Sequence, residues 1–129
     1  MMPRDRFLEI KKFLYFTSEM QDQTDPLSKI RPFYDTILKA CKENWISTQN
    51  VSIDESVISF TGRHSGVVYM PRKPIKNGFK IYVLADYLSY VVNFIPSFCF
   101  SNKEHNVKNI VWNLVEEYGF KGYHLFMDR

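Results

Sequence analysis

A single helical stretch set between strand-forming segments constrains this chain more than any other feature. From Val51 to Phe60 the sequence VSIDESVISF is rich in β-branched residues, with Val51, Ile53 and Val57 on one face. Val67 to Met70 can add a short strand, and Pro71, Pro74 and Asn77-Gly78 interrupt after it. Phe79 to Ala85 and Tyr90 to Ile95 return to strand chemistry, and a turn at Asp86 to Ser89 makes them antiparallel neighbours. His105 to Tyr118 then takes a helical period that faces Val107, Ile110, Val111, Leu114 and Val115 inward, with Gly119 just past its end. A last short strand, Tyr123 to Met127, follows. A strand reached through a helix normally returns parallel to an earlier strand of the same sheet by a right-handed crossover. The expected architecture is α/β: a mixed sheet of three or four strands, a crossover helix, and a closing strand beside Val51–Phe60.

Two helices precede this unit. Phe7, Ile10, Phe13 and Leu14 recur at helical spacing behind Pro3 and Asp5, which suit a first turn, and Arg6, Glu9 and Lys12 form the polar face. Residues 17–29 lose the period and gather Ser, Thr, Asp, Gln and Pro, the chemistry of a connecting loop. Ile30, Phe33, Ile37, Leu38, Cys41 and Trp45 then form a second apolar stripe, with Pro32 tolerated in its opening turn.

A length of 129 residues fits one ordinary domain, or a small domain with part of another, and excludes a large multidomain machine. With 11 Phe, 8 Tyr and 2 Trp in a 45% hydrophobic chain, a packed core is available and intrinsic disorder is excluded. No apolar run approaches the roughly 20 residues of a membrane span, and the charged N-terminus lacks the apolar stretch of a signal peptide. A soluble, non-secreted protein with no membrane partner is expected. Cys41 and Cys99 lie far apart without CxxC or Cys/His spacing, which reads as reduced, buried thiols and neither a zinc site nor a disulfide framework.

Charge is unevenly placed. From Thr61 to Ala85 the chain carries Arg63, Arg72, Lys73, Lys76 and Lys80 and no acid, so against a total of +3 the remainder is net negative. Tyr69, Phe79 and Tyr82 interleave with these cations, a pattern suited to phosphate attraction with base or sugar contacts, and suited equally to a solvated basic face. Two acids stand where strands do not want them: Asp54 within VSIDESVISF and Asp128 after YHLFM. If their strands are parallel neighbours the carboxylates meet at one end of the sheet and can share a divalent ion; otherwise each simply ends its strand or bonds a local backbone N–H. Glu55 points to the other face from Asp54 and reads as structural, His124 shares strand parity with Asp128, and His64 and His105 have no ligand-spaced companion.

Three blocks carry a family resemblance: Ser52-Ile53-Asp54-Glu55-Ser56 running on to Phe60-Thr61-Gly62-Arg63, then Tyr69 to Lys80 with its P-x-K-P-x-K-x-G-x-K spacing, and His124 to Arg129. In this order and spacing they resemble successive blocks of piggyBac-type transposases, and Met2 to Phe7 with the stretch from Lys29 to Asp35 is similar to the segment ahead of that family's catalytic domain. The resemblance covers nearly the whole chain. It implies residues 1–48 as the preceding helical segment and residues 49–129 as the first half of a ribonuclease-H-like catalytic domain. It also implies Asp54 and Asp128 as the first two catalytic acids and metal ligands, Mg²⁺ or Mn²⁺ as the cofactor held weakly here, Arg63, Arg72, Lys73, Lys76 and Lys80 as DNA contacts, and the nucleus as location. The third family acid lies well downstream of the second, beyond Arg129. The resemblance therefore implies a truncated transposase-derived protein inactive by itself, with DNA, a second copy or the missing catalytic half as partner. A DNA-binding or dimerisation fragment, a decayed gene product and a small two-acid nuclease remain the competing readings.

Overall fold

A computed structural model describes residues 2–14, 24–101, 105–119 and 121–128. In chain order these form α1 (Arg4–Lys12), α2 (Arg31–Glu43), β1 (Asn50–Ser59), β2 (Val67–Tyr69), β3 (Asn77–Asp86), β4 (Val91–Pro96), a short 3-10 turn (Ser97–Cys99), α3 (Val107–Val115) and β5 (His124–Met127). The expected loop falls partly outside the described residues; what is described of it, from Thr24, winds through turns into α2.

β1 lies inside the sheet. Its long partner is the antiparallel β3, from Val51 opposite Asp86 to Ser59 opposite Gly78. Its other neighbour is β5, paired in parallel from Asn50 beside His124 to Ile53 beside Met127, as the crossover argument requires. β2 and β4 share the far edge of β3, both antiparallel. The α/β architecture with a mixed sheet is thus the observed one, with five strands and three helices among the described residues.

Alternation along the strands sorts two faces. Val51, Ile53, Tyr82, Leu84 and Val92 are buried against Ile110 and Leu114 of α3, and together they form the core. Asn106 caps that helix, its side chain accepting from the Asn109 N–H at 2.9 Å. α3 is shorter than its sequence pattern. Residues 116–119 continue as turns, with Gly119 N–H donating to the Val115 carbonyl at 2.9 Å, because Glu116 and Glu117 place two acids where a helix C-terminus disfavours them.

α2 packs near β4 through a residue beside its expected stripe: the Tyr34 hydroxyl donates to the Phe94 carbonyl at 2.6 Å, and the two rings meet edge-on at 5.2 Å. Phe33 and Ile37 of the stripe remain exposed. Trp45 lies beyond the helix end and stacks on Tyr90, with centroids 4.8 Å apart. α1 buries nothing, and Phe7 and Phe13 are 58% and 69% exposed. No helix among the described residues is long and apolar enough to cross a membrane. Cys41 and Cys99 are free thiols, half-buried, and burial pushes Cys99 up to about 11.

Gly78 explains the glycine of the P-x-K-P-x-K-x-G-x-K block. A β-carbon there would lie 2.1 Å from the Ile58 carbonyl oxygen of β1, so only hydrogen fits at this crossing. Gly78→Ala is expected to part the ends of β1 and β3 and to cost about 1–3 kcal/mol in urea unfolding. An unchanged midpoint would show that β1 yields there without cost.

Candidate functional site

The site grows from the parallel pairing of β1 and β5. Its register ends with Ile53 beside Met127, and the residues that continue it on the two chains are Asp54 and Asp128. Both acids are exposed and both line one cavity of about 720 Å³ at that end of the sheet, shared with Lys73, Lys80, Tyr82 and His105. The local backbone bond available to an acid in this setting is also present, since Asp54 Oδ1 accepts from the Glu55 N–H at 2.6 Å.

Glu55 stands on the α3 face of β1, opposite Tyr82 of β3, and so belongs to the face away from Asp54. Its carboxylate holds the Lys80 ammonium at 2.5 Å. Lys80 lies 4.8 Å from the centre of the Tyr82 ring, and the Tyr82 hydroxyl is 3.1 Å from His105 Nε2. Burial works to lower the Lys80 pKa, but the Glu55 carboxylate and the Tyr82 hydroxyl outweigh it and hold the group above its ordinary value. Lys80 is therefore a fixed, neutralised cation inside the cavity.

The other four cations of the basic segment are exposed on the loops around β2. Arg72 and Lys73 sit in a turn closed by Met70 N–H donating to the Lys76 carbonyl at 2.7 Å and Lys73 N–H donating to the Met70 carbonyl at 3.1 Å. That loop brings Lys73 to the cavity with the two acids. The structure therefore gathers Asp54, Asp128, Lys73 and Lys80, and leaves Arg63, Arg72 and Lys76 outside the cavity lining.

Among the described residues no group of three or more His, Cys, Asp or Glu converges as a metal site. Two neighbouring carboxylates nevertheless supply the hard oxygen donors that Mg²⁺ or Mn²⁺ takes, and Mg²⁺ usually fills its remaining positions with water and substrate phosphate. The chemistry of this donor set, two carboxylates lining one cavity, fits such an ion.

The pairing of His105 with Tyr82 was not legible, because they are 23 residues apart in sequence and meet only when α3 is laid on the sheet. The other histidines stand elsewhere. His64 packs edge-on against Phe79 and Phe98, and its Nδ1 accepts from the Gly66 N–H at 3.0 Å. His124, exposed on β5, contacts Asn50 Oδ1 at 3.2 Å.

The sequence matches the family described as Transposase IS4 over residues 1–129. The chain belongs to that family. Within it the likeness is to the piggyBac type: 31% identity over 92% of this chain to the human PiggyBac transposable element-derived protein 3, and 31% over 92% to the human Chimeric ERCC6-PGBD3 protein. The chain spans 18% and 10% of those two relatives. Its fold matches a cryo-EM structure of a piggyBac transposase synaptic complex with hairpin DNA, with a TM-score of 0.77 over 98% of this chain and 33% of that one, at 22% identity. The ribonuclease-H-like expectation accords with that match and with β1 placed between an antiparallel β3 and a parallel β5.

Proposed function

We propose that this chain supplies the first half of a centre for metal-dependent DNA strand cleavage and transfer, with residues 49–129 forming that half and residues 1–48 the helical segment ahead of it. The observation that carries the reading is the β1–β5 register, which runs out on Asp54 and Asp128 beside a cavity also lined by Lys73 and Lys80. Asp54 and Asp128 hold Mg²⁺ or Mn²⁺, whose chemistry when bound is to polarise a phosphoryl oxygen and acidify water. Lys73 offsets phosphate charge at the cavity, while Glu55 keeps the Lys80 ammonium in place. Arg63, Arg72 and Lys76 extend the phosphate-binding surface outside it. A nuclear location goes with DNA as substrate and rests on this reading alone.

Two carboxylates fix few of an ion's ligands, so residues 1–129 alone are expected to bind Mg²⁺ or Mn²⁺ at roughly millimolar strength, weaker still in Asp54→Asn, and to leave supercoiled plasmid unnicked. Calorimetric titration and a nicking assay against the Asp54→Ala, Asp128→Ala double variant read both. Submicromolar ion binding contradicts the shared-ion site. Metal-dependent nicking that the double variant abolishes favours the small-nuclease reading.

Self-association is a second reading with its own observation. β5 is the last strand in the order β2-β3-β1-β5, and Leu125, Phe126 and Met127 along it are exposed, as are Phe7 and Phe13 of α1. An apolar edge strand is a template for pairing with another chain. Sedimentation of residues 1–129 is expected to give concentration-dependent species above the monomer mass.

A further inference from the structure

We propose that the cavity where the end of β1 meets the loop of residues 74–77 takes one nucleobase turned out of the DNA stack. The inference rests on the DNA reading above and adds to it a site for a base, separate from the cavity that holds Asp54 and Asp128.

Residues 59–62 form one wall of this cavity and residues 74–77 the other, so both walls come from the blocks that carry the family resemblance. Strand pairing sets Ser59 opposite Gly78, which brings the two stretches together as the β1–β3 ladder runs out, and the Phe60 N–H donates to the Asn77 carbonyl at 3.3 Å. The space between them is about 600 Å³, a size that holds a small ligand. Its lining is mixed. Phe60, Pro74 and Ile75 give apolar surface, Thr61 and Asn77 give side chains that both donate and accept, and Lys76 gives a cation. A phosphate alone takes convergent donors and gains nothing from the three apolar residues. A flat apolar body with a polar edge and a phosphate beside it meets all three kinds of group, and a nucleotide whose base has left the stack is such a body. A paired base does not enter, because its edge is engaged and its faces are covered. The surroundings select a polyanion: Arg63 follows one wall, Arg72 and Lys73 precede the other, and no acid stands between Thr61 and Ala85.

Phe60 is held in place as a platform. Its ring centroid lies 4.8 Å from that of Phe79, which in turn meets Phe98 at 5.4 Å. Gly62 lies against the rim of the same ring: a β-carbon there would stand 2.5 Å from Phe60 Cζ, so any side chain at 62 displaces the ring. Asp54 is five residues back along β1 from Ser59, about 17 Å at the rise of a strand. That separates the cavity from the two acids yet leaves both within reach of one DNA strand, about five steps of 3.4 Å apart.

The experiment measures binding of residues 1–129 to three labelled duplexes that differ at one position: fully paired, with one unpaired thymidine, and with an abasic bulge in its place. The unpaired thymidine is expected to bind about tenfold more tightly than either of the others, the gain of one base stacked on an aromatic ring. Ile75→Trp fills the cavity from an exposed position, and Gly62→Ala displaces the Phe60 ring. Each is expected to remove the preference while leaving paired-duplex affinity and its salt slope unchanged. An unpaired 2-aminopurine in place of the thymidine should change its fluorescence on binding wild type and keep it on binding Ile75→Trp. Equal affinity for the thymidine and abasic bulges overturns the proposal, as does a preference that survives in both variants, and either result leaves the DNA reading standing. No binding to any of the three duplexes sinks both.

Discussion

Replacing Asp86 with alanine is expected to cost on the order of 3 kcal/mol of stability. Asp86 ends β3 and is 2% exposed. Its Oδ1 accepts from the backbone N–H of Leu88 at 2.9 Å and of Tyr90 at 3.2 Å, and its Oδ2 accepts from Trp45 Nε1 at 2.8 Å. One carboxylate therefore closes the β3–β4 turn, in which Ser89 takes a left-handed φ of 66°, and fastens the segment after α2 to the sheet. Alanine strands all three donors. Asparagine separates the two jobs: its oxygen keeps the turn, but its NH₂ faces the indole donor, so Asp86→Asn should cost less than alanine, and Trp45→Phe should add little to it. The pH dependence has a definite sign. Burial works to raise the Asp86 pKa, yet the Trp45, Tyr90 and Leu88 donors outweigh it and hold it below the ordinary 3.8. The stability it contributes is therefore fully present above that value and lost as pH falls through the lowered folded pKa. Urea unfolding of wild type and Asp86→Ala should differ most at neutral pH and converge in strong acid. A difference at neutral pH under about 1 kcal/mol would remove Asp86 from this role.

That carboxylate also marks where reading the sequence stops. Asp86 is visible as a turn former because Asp favours such positions, but its indole partner lies 41 residues earlier and appears only once α2 has been laid on the sheet. The antiparallel pair β3–β4 and the meeting of β1 with β5 were legible, because β-branched composition marks strands and crossover handedness leaves few ways to return, while the pairing of β1 with β3 was not. From them the adjacency of Asp54 and Asp128 follows by counting residues. The face that α2 presents was legible only in part: Leu38 and Cys41 of the expected stripe are half-buried, whereas Phe33 and Ile37 are exposed. Periodicity places a stripe around Phe33 and Ile37, whereas the contact with β4 is made by Tyr34, since the angle at which a helix crosses a sheet is set by the partner surface. The fate of Lys80 was hidden for a similar reason. As one of five cations in a basic run it looks solvated, but cross-strand register sets it on the same face as Glu55 and the ion pair draws it inward.

The distinction between Lys80 and its basic neighbours sets up the largest expected change in DNA affinity. On the proposed function, non-specific duplex binding by residues 1–129 arises from counterion release, and log affinity falls with log salt by about 0.9 for each phosphate neutralised. Arg63, Arg72, Lys73 and Lys76 are exposed and make no ion pair among the described residues, so each can release a counterion. Lys80 already has its counterion in Glu55. Reversing Lys73 and Lys76 to glutamate should therefore flatten the salt slope by about 2 and weaken binding by well over tenfold at low salt, where screening is least. Lys80→Met should leave the slope almost unchanged, because it removes a cation that was neutralised before DNA arrived and leaves Glu55 to repel the backbone; its loss should appear as a similar offset at every salt concentration. Fluorescence anisotropy of a labelled duplex across a salt series separates a change of slope from a change of intercept. A salt-independent affinity, or a slope that the Lys73/Lys76 reversal leaves intact, would take the phosphate-binding role away from the segment. A slope that falls as much for Lys80→Met as for one exposed lysine would mean that the Glu55 pair opens when DNA binds, releasing Lys80 to the phosphate.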